Sequence, residues 1–351
     1  MRRTDCGGYG AYMQAAVHTR YGPPDVVRVV EIPTPKPKDN EVLVKVHATT
    51  VNRTDCGFRG AKPFFIRGFT GLTRPRVTIL GNEFAGQIEA LGPGVKTFAV
   101  GDRVFGYDDS AFGAHAEYLT IREGASLARI PAELTYAQAA PATEGSHYAL
   151  ANIKKAKIRS GHRVLVNGAT GAIGSAAVQL LASRGVQVTA VCDTAHLELV
   201  RGLGAERVID HTAKDFTQDE QTYDVVFDAV GKSSFSRCRR LLEPRGAYLS
   251  TDLGPYSQNP FLALVTPLLP GRSVLFPLPR HDQEMINDFK DLLESGQFRP
   301  VIDRSYPLVE IVEAYRYVET GQKIGNVVIT VDQGLTSEHD PNDQHPPEAR
   351  S

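Results

Sequence analysis

The fold of this chain is decided by the stretch Val164-Leu-Val-Asn-Gly168-Ala-Thr-Gly171-Ala-Ile-Gly174-Ser175. An apolar strand runs into a glycine-rich turn, and a helical pattern begins directly afterwards. The spacing aims backbone N–H groups and the helix N-terminus at a diphosphate, and the last glycine lets the helix lie close to the strand. In this context the turn favours dinucleotide binding over a merely glycine-rich helix start. The expected ligand-binding residues are Ala169, Thr170, Gly171, Ala172, Ile173 and Gly174.

Strand and helix patterns alternate around this turn. Because strands that are joined through helices run parallel, the alternation predicts an α/β fold with a doubly wound parallel sheet. The predicted strands are 164–166, 186–191, 207–209, 224–228 and 247–250, with helices that begin at Ala172 and Ala195.

The part of the chain before residue 135 has a different pattern. Short β-branched runs separated by turn residues, such as 41–47, 84–91 and 101–106, predict a β-rich unit. After residue 270, a strand at 273–276, helices at 285–293 and 309–319, and a last strand at 326–331 are predicted. Residues 1–12 and the polar, proline-bearing residues 332–351 are expected to be disordered.

Composition limits the possible functions. A chain of 351 residues is long enough for two domains, and its net charge of −1 provides no basic surface for nucleic acid. We see no apolar run long enough for a membrane span. The four cysteines, Cys6, Cys56, Cys192 and Cys238, are scattered without metal-ligand spacing, which favours a reducing, cytoplasmic setting.

The end of the second strand of the parallel sheet bears on the choice of dinucleotide. A carboxylate there accepts hydrogen bonds from the adenosine ribose and repels a 2′-phosphate, and we place Val191 at that position. This favours NADPH, although NADH remains possible because Asp193 follows closely. Cys192, Asp193, His196 and His211 are candidate cofactor-binding residues. The two histidines could meet a 2′-phosphate or be ordinary exposed imidazoles.

Taken together, the motifs resemble the medium-chain dehydrogenase/reductase superfamily between Met13 and about Val331. The resemblance implies a GroES-like catalytic domain over 13–134 and 274–331, a Rossmann domain over 135–273, and an active site in the cleft between them. The residues that carry it are 20–25, 51–55, Leu80-Gly-Asn-Glu-Phe-Ala-Gly86, 92–95, 101–104, 168–174, Asp228-Ala-Val-Gly231, 292–296, 299–302 and Gly325-Asn-Val-Val-Ile329.

Zinc enzymes of that superfamily hold their catalytic metal with Cys, His and Cys. By register, the three positions are Asn52, Asn82 and about Ala142, and none of them offers a thiolate or an imidazole. The four-Cys structural zinc loop is missing, and Cys56 alone makes no site. We therefore predict no zinc, and the chain is most similar to the zinc-independent quinone oxidoreductase branch, including mitochondrial oxidoreductases related to reticulon-interacting protein.

The resemblance implies hydride transfer from NADPH to a quinone or a related α,β-unsaturated carbonyl compound. Asn52 is the first candidate for a hydrogen-bond donor to the substrate or the nicotinamide, although an Asn there can equally cap a turn. Asp55 belongs either to the chemistry or to a local network. Tyr107 could donate a phenol to the acceptor, and Glu144 could shuttle a proton through His147 or simply begin a helix.

Other candidates follow from the same comparison. Residues 229–231, at the carboxyl end of a strand, are expected to contact the cofactor, as is Asn326 in the C-terminal motif. Edge-to-edge pairing of the parallel sheets through 273–276 would give a homodimer. Phe58, Phe64 and Phe65 either line the acceptor slot or belong to the core. The cofactor-binding residues expected at 229–231 are Ala229, Val230 and Gly231.

Two rival functions remain open at this stage. An alkenal or enoyl reductase would share every motif with a quinone reductase. A protein that binds NADPH as a structural partner or sensor, with little turnover, would keep the glycine turn but would not need Asn52.

Overall fold

The computed structural model describes residues 10–64, 67–277 and 281–331. The expected tail at 332–351, most of the extension at 1–12 and Phe65 lie outside the described residues. The first strand begins at Tyr12, one residue earlier than predicted, because Tyr12 pairs with Pro33 of the second strand.

The first part of the chain is β-rich, as the short runs of β-branched residues predict. Asn52 and Asp55 form a capping box at the start of its first helix. The elements are β1 (Tyr12–His18), β2 (Val27–Pro33), β3 (Glu41–Val51), α1 (Arg53–Gly60), α2 (Arg67–Thr70), β4 (Glu83–Leu91), β5 (Arg103–Tyr107), β6 (Tyr118–Arg122) and β7 (Ser126–Arg129).

The middle of the chain alternates between strands and helices. Its elements are α3 (Tyr136–Ala139), α4 (Glu144–Lys155), β8 (Arg163–Asn167), α5 (Ala172–Ala182), β9 (Gln187–Cys192), α6 (Leu197–Gly202), β10 (Arg207–Asp210), β11 (Tyr223–Asp228), α7 (Phe235–Cys238), β12 (Leu242–Ser250), α8 (Gln258–Val265) and β13 (Ser273–Leu275). The C-terminal part consists of α9 (Gln283–Glu294), β14 (Ile302–Pro307), α10 (Ile311–Glu319) and β15 (Asn326–Thr330).

Two large sheets organise these elements. The parallel sheet has the order β10-β9-β8-β11-β12-β13, and the β-rich sheet has the order β14-β15-β3-β4-β5-β7, with β6 also paired to β3. Val164, Leu165 and Val166 of β8 are all fully buried, which is typical of a central parallel strand covered on both faces. The predicted combination of a GroES-like and a Rossmann-like unit is confirmed.

The C-terminal segment returns to the β-rich sheet. β15 runs antiparallel to β3, with Val327 opposite Val51, so the last strand pairs with a strand that precedes it by almost 280 residues in the sequence. The expected boundary at residue 273 is slightly early, because β13 pairs with β12 through Leu275 and belongs to the parallel sheet.

Apolar packing is continuous from one sheet to the other. One buried cluster contains Ala85 and Phe105 from the β-rich sheet together with Ala169 and Ala177 from the glycine turn and α5. The active-site edges of the two units are therefore held against each other by burial of apolar surface. Among the described residues, no helix is both long and apolar enough to cross a membrane.

We predict that Gly174→Ala lowers the free energy of unfolding by about 1–3 kcal/mol, because a Cβ atom there overlaps the carbonyl oxygen of Gly168. The matched control is Gly202→Ala at the end of α6, where no atom lies within 4 Å of the added carbon. That control should be neutral or stabilising by roughly 0.4–1 kcal/mol. Chemical denaturation measures both, and equal stabilities for the two variants would contradict the close approach of helix and turn.

Candidate active site

The glycine turn has the geometry of an anion cradle. Gly168 adopts a φ of +78°, and a side chain there would meet Val230 at 2.7 Å. Gly171 is the N-cap of α5, so the first amides of the helix have no intrahelical acceptor and face outward with the positive end of the helix dipole. Open backbone donors and close-packed glycines fit the diphosphate of a dinucleotide.

Not every residue predicted in this turn can touch a ligand through its side chain. Ala169 is fully buried, and its N–H donates to the carbonyl of Val191 at 3.1 Å. The carbonyl of Thr170 accepts from Gly325 N–H at 2.6 Å, which joins the turn to the C-terminal segment. The donors available for an anion are therefore those of Ala172 and its neighbours in the first turn of α5.

Hydrogen bonds to the Asp228 carboxylate fix the loop at 229–231. The buried Asp228 carboxylate accepts from Gly231 N–H at 3.1 Å, Ser233 N–H at 2.8 Å and Asn167 Nδ2 at 2.9 Å. This holds Val230, 43% exposed, over the glycine turn. The predicted loop and turn are thus neighbours, and Asp228 positions the loop.

The second parallel strand ends one residue later than predicted. The sequence predicts Val191 as its last residue, but Val191 is fully buried and pairs with Asn167, and the strand continues to Cys192. Asp193 is therefore the first residue after the strand. Cys192 is buried, so its side chain is not free to bind a cofactor.

Asp193 is paired with one of the two candidate histidines. Its carboxylate lies 2.5 Å from Nδ1 of His196, three residues further on. His211 is exposed at the neighbouring strand end, where its backbone N–H donates to the carbonyl of Cys192. The Asp193 carboxylate and the imidazoles of His196 and His211 thus lie at the same edge of the parallel sheet.

A chain of buried hydrogen bonds runs through the predicted catalytic residues. Asn52 Nδ2 donates to Asn82 Oδ1 at 2.7 Å, and Asn82 Nδ2 donates to Glu144 Oε2 at 3.0 Å. The Tyr107 hydroxyl donates to the same Glu144 oxygen at 2.8 Å, and the Thr54 hydroxyl donates to the other at 2.6 Å. The structure therefore brings together residues from α1, the segment before β4, the end of β5 and the start of α4.

Glu144 is an unusual acid because it is buried among other acids. Burial, followed by the charge of Glu83, raises the pKa of Glu144 to about 8. Burial also raises the pKa of Tyr107 well above its usual value. Both groups therefore hold a proton at neutral pH.

Asp55 bonds to backbone groups next to this chain of hydrogen bonds. It accepts from Asn52 N–H at 3.0 Å as the second half of the capping box and from Gly81 N–H at 2.9 Å. Burial raises its pKa to about 7, and His115 Nε2 lies 3.9 Å away. Of the two interpretations of Asp55, the structure favours the local network.

His147 is close to Glu144 in the chain, but its ring bonds to the Glu144 backbone and not to the carboxylate. Nδ1 lies 2.8 Å from the backbone carbonyl of Glu144, and the ring packs against Tyr107 with centroids 4.7 Å apart. Burial lowers the pKa of His147 to about 4, so the ring is neutral and Nε2 is an acceptor. The ring borders a cleft of about 410 Å³ that Leu150, Met285 and Pro277 also line.

The aromatic candidates divide between core and surface. Phe58 packs on Phe112 with centroids 4.7 Å apart and joins the core of the β-rich unit. Phe64 is exposed. Asn326 is buried, and its Nδ2 donates to the Val301 carbonyl at 3.0 Å beside the glycine turn. None of these contacts defines an acceptor slot.

Sequence reasoning missed several members of the site. Thr54 and Glu83 lie inside quoted motifs, but nothing in those motifs marks their side chains, and Asn82 was considered only as the counterpart of a metal ligand in zinc enzymes.

Comparisons with known proteins show the family. Residues 38–132 match the family "Alcohol dehydrogenase GroES-like domain", and residues 203–329 match "Zinc-binding dehydrogenase". The 2-methylene-furan-3-one reductase of Solanum lycopersicum is 30% identical over 90% of this chain and 79% of its own length. The mitochondrial NAD(P)H oxidoreductase RTN4IP1 of Homo sapiens is also 30% identical, over 91% and 89%. The quinone oxidoreductase of Coxiella burnetii superposes with a TM-score of 0.82, at 26% identity, over 92% of this chain and all of its own.

The second family name implies zinc, but the residues at the metal positions do not fit that ion. The Asn52 and Asn82 amides bond to each other, and Ala142 is a buried residue whose side chain has no donor atom. Carboxamides are poor zinc ligands. Across 10–64, 67–277 and 281–331, no three His, Cys, Asp or Glu residues converge as a metal site would require.

We predict that Glu144→Gln gains stability relative to the wild type as the pH rises from 5 to 8.5. The folded protein keeps a proton on Glu144 up to a pKa of about 8, whereas the unfolded chain loses it near the ordinary glutamate pKa of 4.5. The wild type therefore loses stability across this interval, and the variant lacks that loss. The difference in Tm should change by on the order of 5 °C.

Thermal melts at four pH values measure this effect. Glu31→Gln, which changes an exposed acid on β2, is the control and should show no such trend. A pH-independent difference between Glu144→Gln and the wild type would contradict a protonated Glu144.

Proposed function

The chain belongs to the medium-chain dehydrogenase/reductase superfamily, in the branch of the quinone oxidoreductases and NAD(P)H oxidoreductases, and is itself an NAD(P)H-dependent oxidoreductase; from this premise we propose its reaction. It transfers hydride from NADPH to a quinone or a related α,β-unsaturated carbonyl compound without zinc. The observation that carries the proposal is the buried chain Asn52–Asn82–Glu144 with Tyr107, in which Asn52 and Asn82 stand, by register, at positions where zinc enzymes of the superfamily hold metal.

The cofactor supplies the hydride, and the chain's own residues supply binding and protons. The first turn of α5 would hold the diphosphate, and the loop at 229–231 would lie against the cofactor from the other side. Asn52 has two N–H bonds on Nδ2, of which one donates to Asn82. The second can stabilise charge that develops on a substrate oxygen, and an electron-poor acceptor then needs no metal.

Reduction of such an acceptor also consumes a proton. Glu144 and Tyr107 both hold a proton at neutral pH and are bonded to each other. We propose that this pair, and not a path through His147, keeps the proton available at the site. Thr54 can take part, because its hydroxyl donates and accepts.

The preference for NADPH is proposed in spite of Asp193. Its carboxylate would lie near the adenosine ribose, where it would favour NADH, but it already contacts Nδ1 of His196. The imidazole beside this carboxylate can meet a 2′-phosphate. A relative from Arabidopsis thaliana is named "NADPH-dependent alkenal/one oxidoreductase", which supports the same cofactor.

An alkenal or enoyl reductase is the second candidate. The relatives named 2-methylene-furan-3-one reductase and alkenal/one oxidoreductase act on conjugated carbonyl compounds by their names, and their identities are no lower than those of the quinone oxidoreductase homologues. The donor at Asn52 would serve an enolate oxygen equally well.

A homodimer is proposed from the exposed edge of the parallel sheet. β13 is the last strand of that sheet, and α8 packs beside it. The exposed face next to this edge is apolar and includes Phe261, Leu264 and Leu268. An open edge that continues into an apolar face fits a second copy of the chain. The cytoplasmic setting remains a prediction, since relatives are named mitochondrial or chloroplastic.

The proposed reaction is tested by steady-state oxidation of NADPH and of NADH with quinones, alkenals and an enoyl thioester. We expect turnover with at least one class and a higher kcat/KM with NADPH. Asn52→Ala should lower kcat/KM by about 10²-fold, as removal of an oxyanion donor does.

Thr135→Ala is the matched control, because Thr135 caps α3 in the same kind of capping box but lies outside the hydrogen-bonded chain. Both variants should lose about 1 kcal/mol of stability through the cap. Equal activities would remove Asn52 from the chemistry. Binding of NADPH with no turnover of any acceptor would favour the sensor or structural protein, and a strong NADH preference would show that Asp193 decides the cofactor.

The dimer is tested with the double substitution Leu264→Glu and Leu268→Glu. Both side chains are exposed, 74% and 84%, so the fold of one chain should tolerate the change. Light scattering after size exclusion should give a dimer for the wild type and a monomer for the variant. Val100→Glu, at an exposed position of the β-rich unit, should stay dimeric. A monomeric wild type or a dimeric double variant would contradict the interface.

A further inference from the structure

Glu144 and Tyr107, called the buried pair below, must regain a proton after each turnover, because reduction of the acceptor consumes one. Their exposed fractions are 6% and 1%, so neither group meets bulk water freely. A buried acid can regain its proton through neighbouring groups that both give and accept protons. The groups that touch the buried pair on the side of the solvent are therefore candidates for such a route.

The Tyr107 hydroxyl lies between two carboxyl groups. It is 2.8 Å from Oε2 of Glu144 and 3.4 Å from Oδ2 of Asp109, which stands two residues further along the chain. A phenol oxygen can donate one hydrogen bond while it accepts another, so it can pass a proton from one carboxyl group to the other. The Asp109 side chain is 36% exposed, and so the contact leads from the buried pair toward the surface.

The other oxygen of Asp109 meets an imidazole. Nδ1 of His281 lies 3.2 Å from Asp109 Oδ1, and the His281 ring meets the Tyr107 ring edge-on with centroids 5.7 Å apart. His281 comes just before α9, whereas Asp109 follows β5, so two distant segments of the chain meet here. The His281 side chain is 35% exposed. Imidazole is the side chain best suited to exchange protons with water near neutral pH.

The surroundings of Asp109 favour its protonated form. Burial is the largest cause and raises the pKa of Asp109 above its usual value, although His281 lowers it. Because the pKa of Glu144 is also raised, the two carboxyl groups on either side of the phenol are closer in proton affinity than Glu144 and an ordinary aspartate would be. The other titratable groups that act on members of this chain are Asp108 in the same loop and His147 and Tyr148 on α4.

We propose that His281 and Asp109 form the route by which a proton from the solvent reaches the buried pair. The inference rests on the proposed function and adds two residues to it. When Glu144 has given up its proton, the phenol proton of Tyr107 moves to Glu144 Oε2, and the Asp109 carboxyl group gives its proton to the phenol oxygen.

The outer half of the route then restores Asp109. Its carboxylate takes a proton from the His281 imidazolium, and the neutral imidazole takes one from the solvent. Each step moves a single proton and no electrons, and Tyr107 is a phenol before and after. The net change is the uptake of one proton from water by Glu144.

The route is tested with Asp109→Asn in steady-state kinetics, with an acceptor that the wild type reduces. The amide keeps the size of the side chain but cannot relay a proton, so kcat should fall by roughly tenfold or more. The KM for the acceptor and the Kd for NADPH should not change. The solvent deuterium isotope effect on kcat should rise in the variant, because proton uptake becomes the slow step, while the effect of deuterium at C4 of NADPH falls toward 1.

Asp108→Asn is the matched control. It removes a carboxylate from the same loop, but its side-chain oxygen can still accept from the N–H groups of Ser110 and Ala111. This variant should keep the kcat and the solvent isotope effect of the wild type.

His281→Ala separates proton delivery from a structural role of the contact with Asp109. Its kcat should fall, and free imidazole in the buffer should restore kcat in proportion to the imidazolium concentration, because a small acid can replace the missing ring. Imidazole should not restore Asp109→Asn, which lacks the next group of the route.

An unchanged kcat for Asp109→Asn overturns the inference. A slower variant with an unchanged solvent isotope effect, or a loss that Asp108→Asn shares, overturns it as well, because such a loss is structural. In each of these cases the wild type is active and the proposed function stands. A wild type that reduces no acceptor contradicts the proposed function, and the route with it.

Discussion

The carboxylate of Glu83 holds the site together. It is fully buried at the start of β4 and accepts from the Thr50 hydroxyl on β3, the Thr143 hydroxyl and backbone N–H, and the N–H of Glu144 at the start of α4. Because an unpaired buried carboxylate is costly, these donors are effectively obligatory. They fix α4 against the β-rich sheet and so determine where the side chain of Glu144 can point.

The same anchoring explains the protonation of Glu144. Asn52 bonds to Asn82, and Asn82 bonds to Glu144, which keeps its proton because burial and the charge of Glu83 oppose a second negative charge. The hydrogen-bonded chain and the protonated Glu144 are therefore one arrangement.

The fold was predictable because its main features are local in sequence. The apolar run before Gly168, the glycine spacing and the alternation of strands and helices each occupy a few tens of residues. The site was predictable only where a motif marked it, as at Asn52. The end of the second parallel strand was predicted one residue early, at Val191, because the pairing of Cys192 with Asp210 of β10, and not the residue itself, decides where the strand ends.

The contacts that sequence could not indicate join distant segments. Thr54 meets Glu144 across 90 residues, and Gly325 reaches the glycine turn at Thr170 from more than 150 residues away. A single hydroxyl or ammonium group has no periodicity, so its partner is fixed only when the sheets are in place. Sequence patterns therefore identified the scaffold and its glycine turn more completely than the side chains that face each other across the cleft.

The late position of β15 has a consequence for synthesis. Every strand of the parallel sheet lies between residues 163 and 275 and can pair while the chain is still emerging, but one edge of β3 is covered only in part by β6, and its residues 48–51 must wait for residues 326–330. During that interval the nascent chain exposes unpaired backbone groups at the end of β3, a strand whose apolar side chains are meant for the core. The first domain to be translated is thus the last to finish folding, and a ribosome that stalls shortly before residue 326 would leave a chain with one mature unit and one that is prone to aggregate.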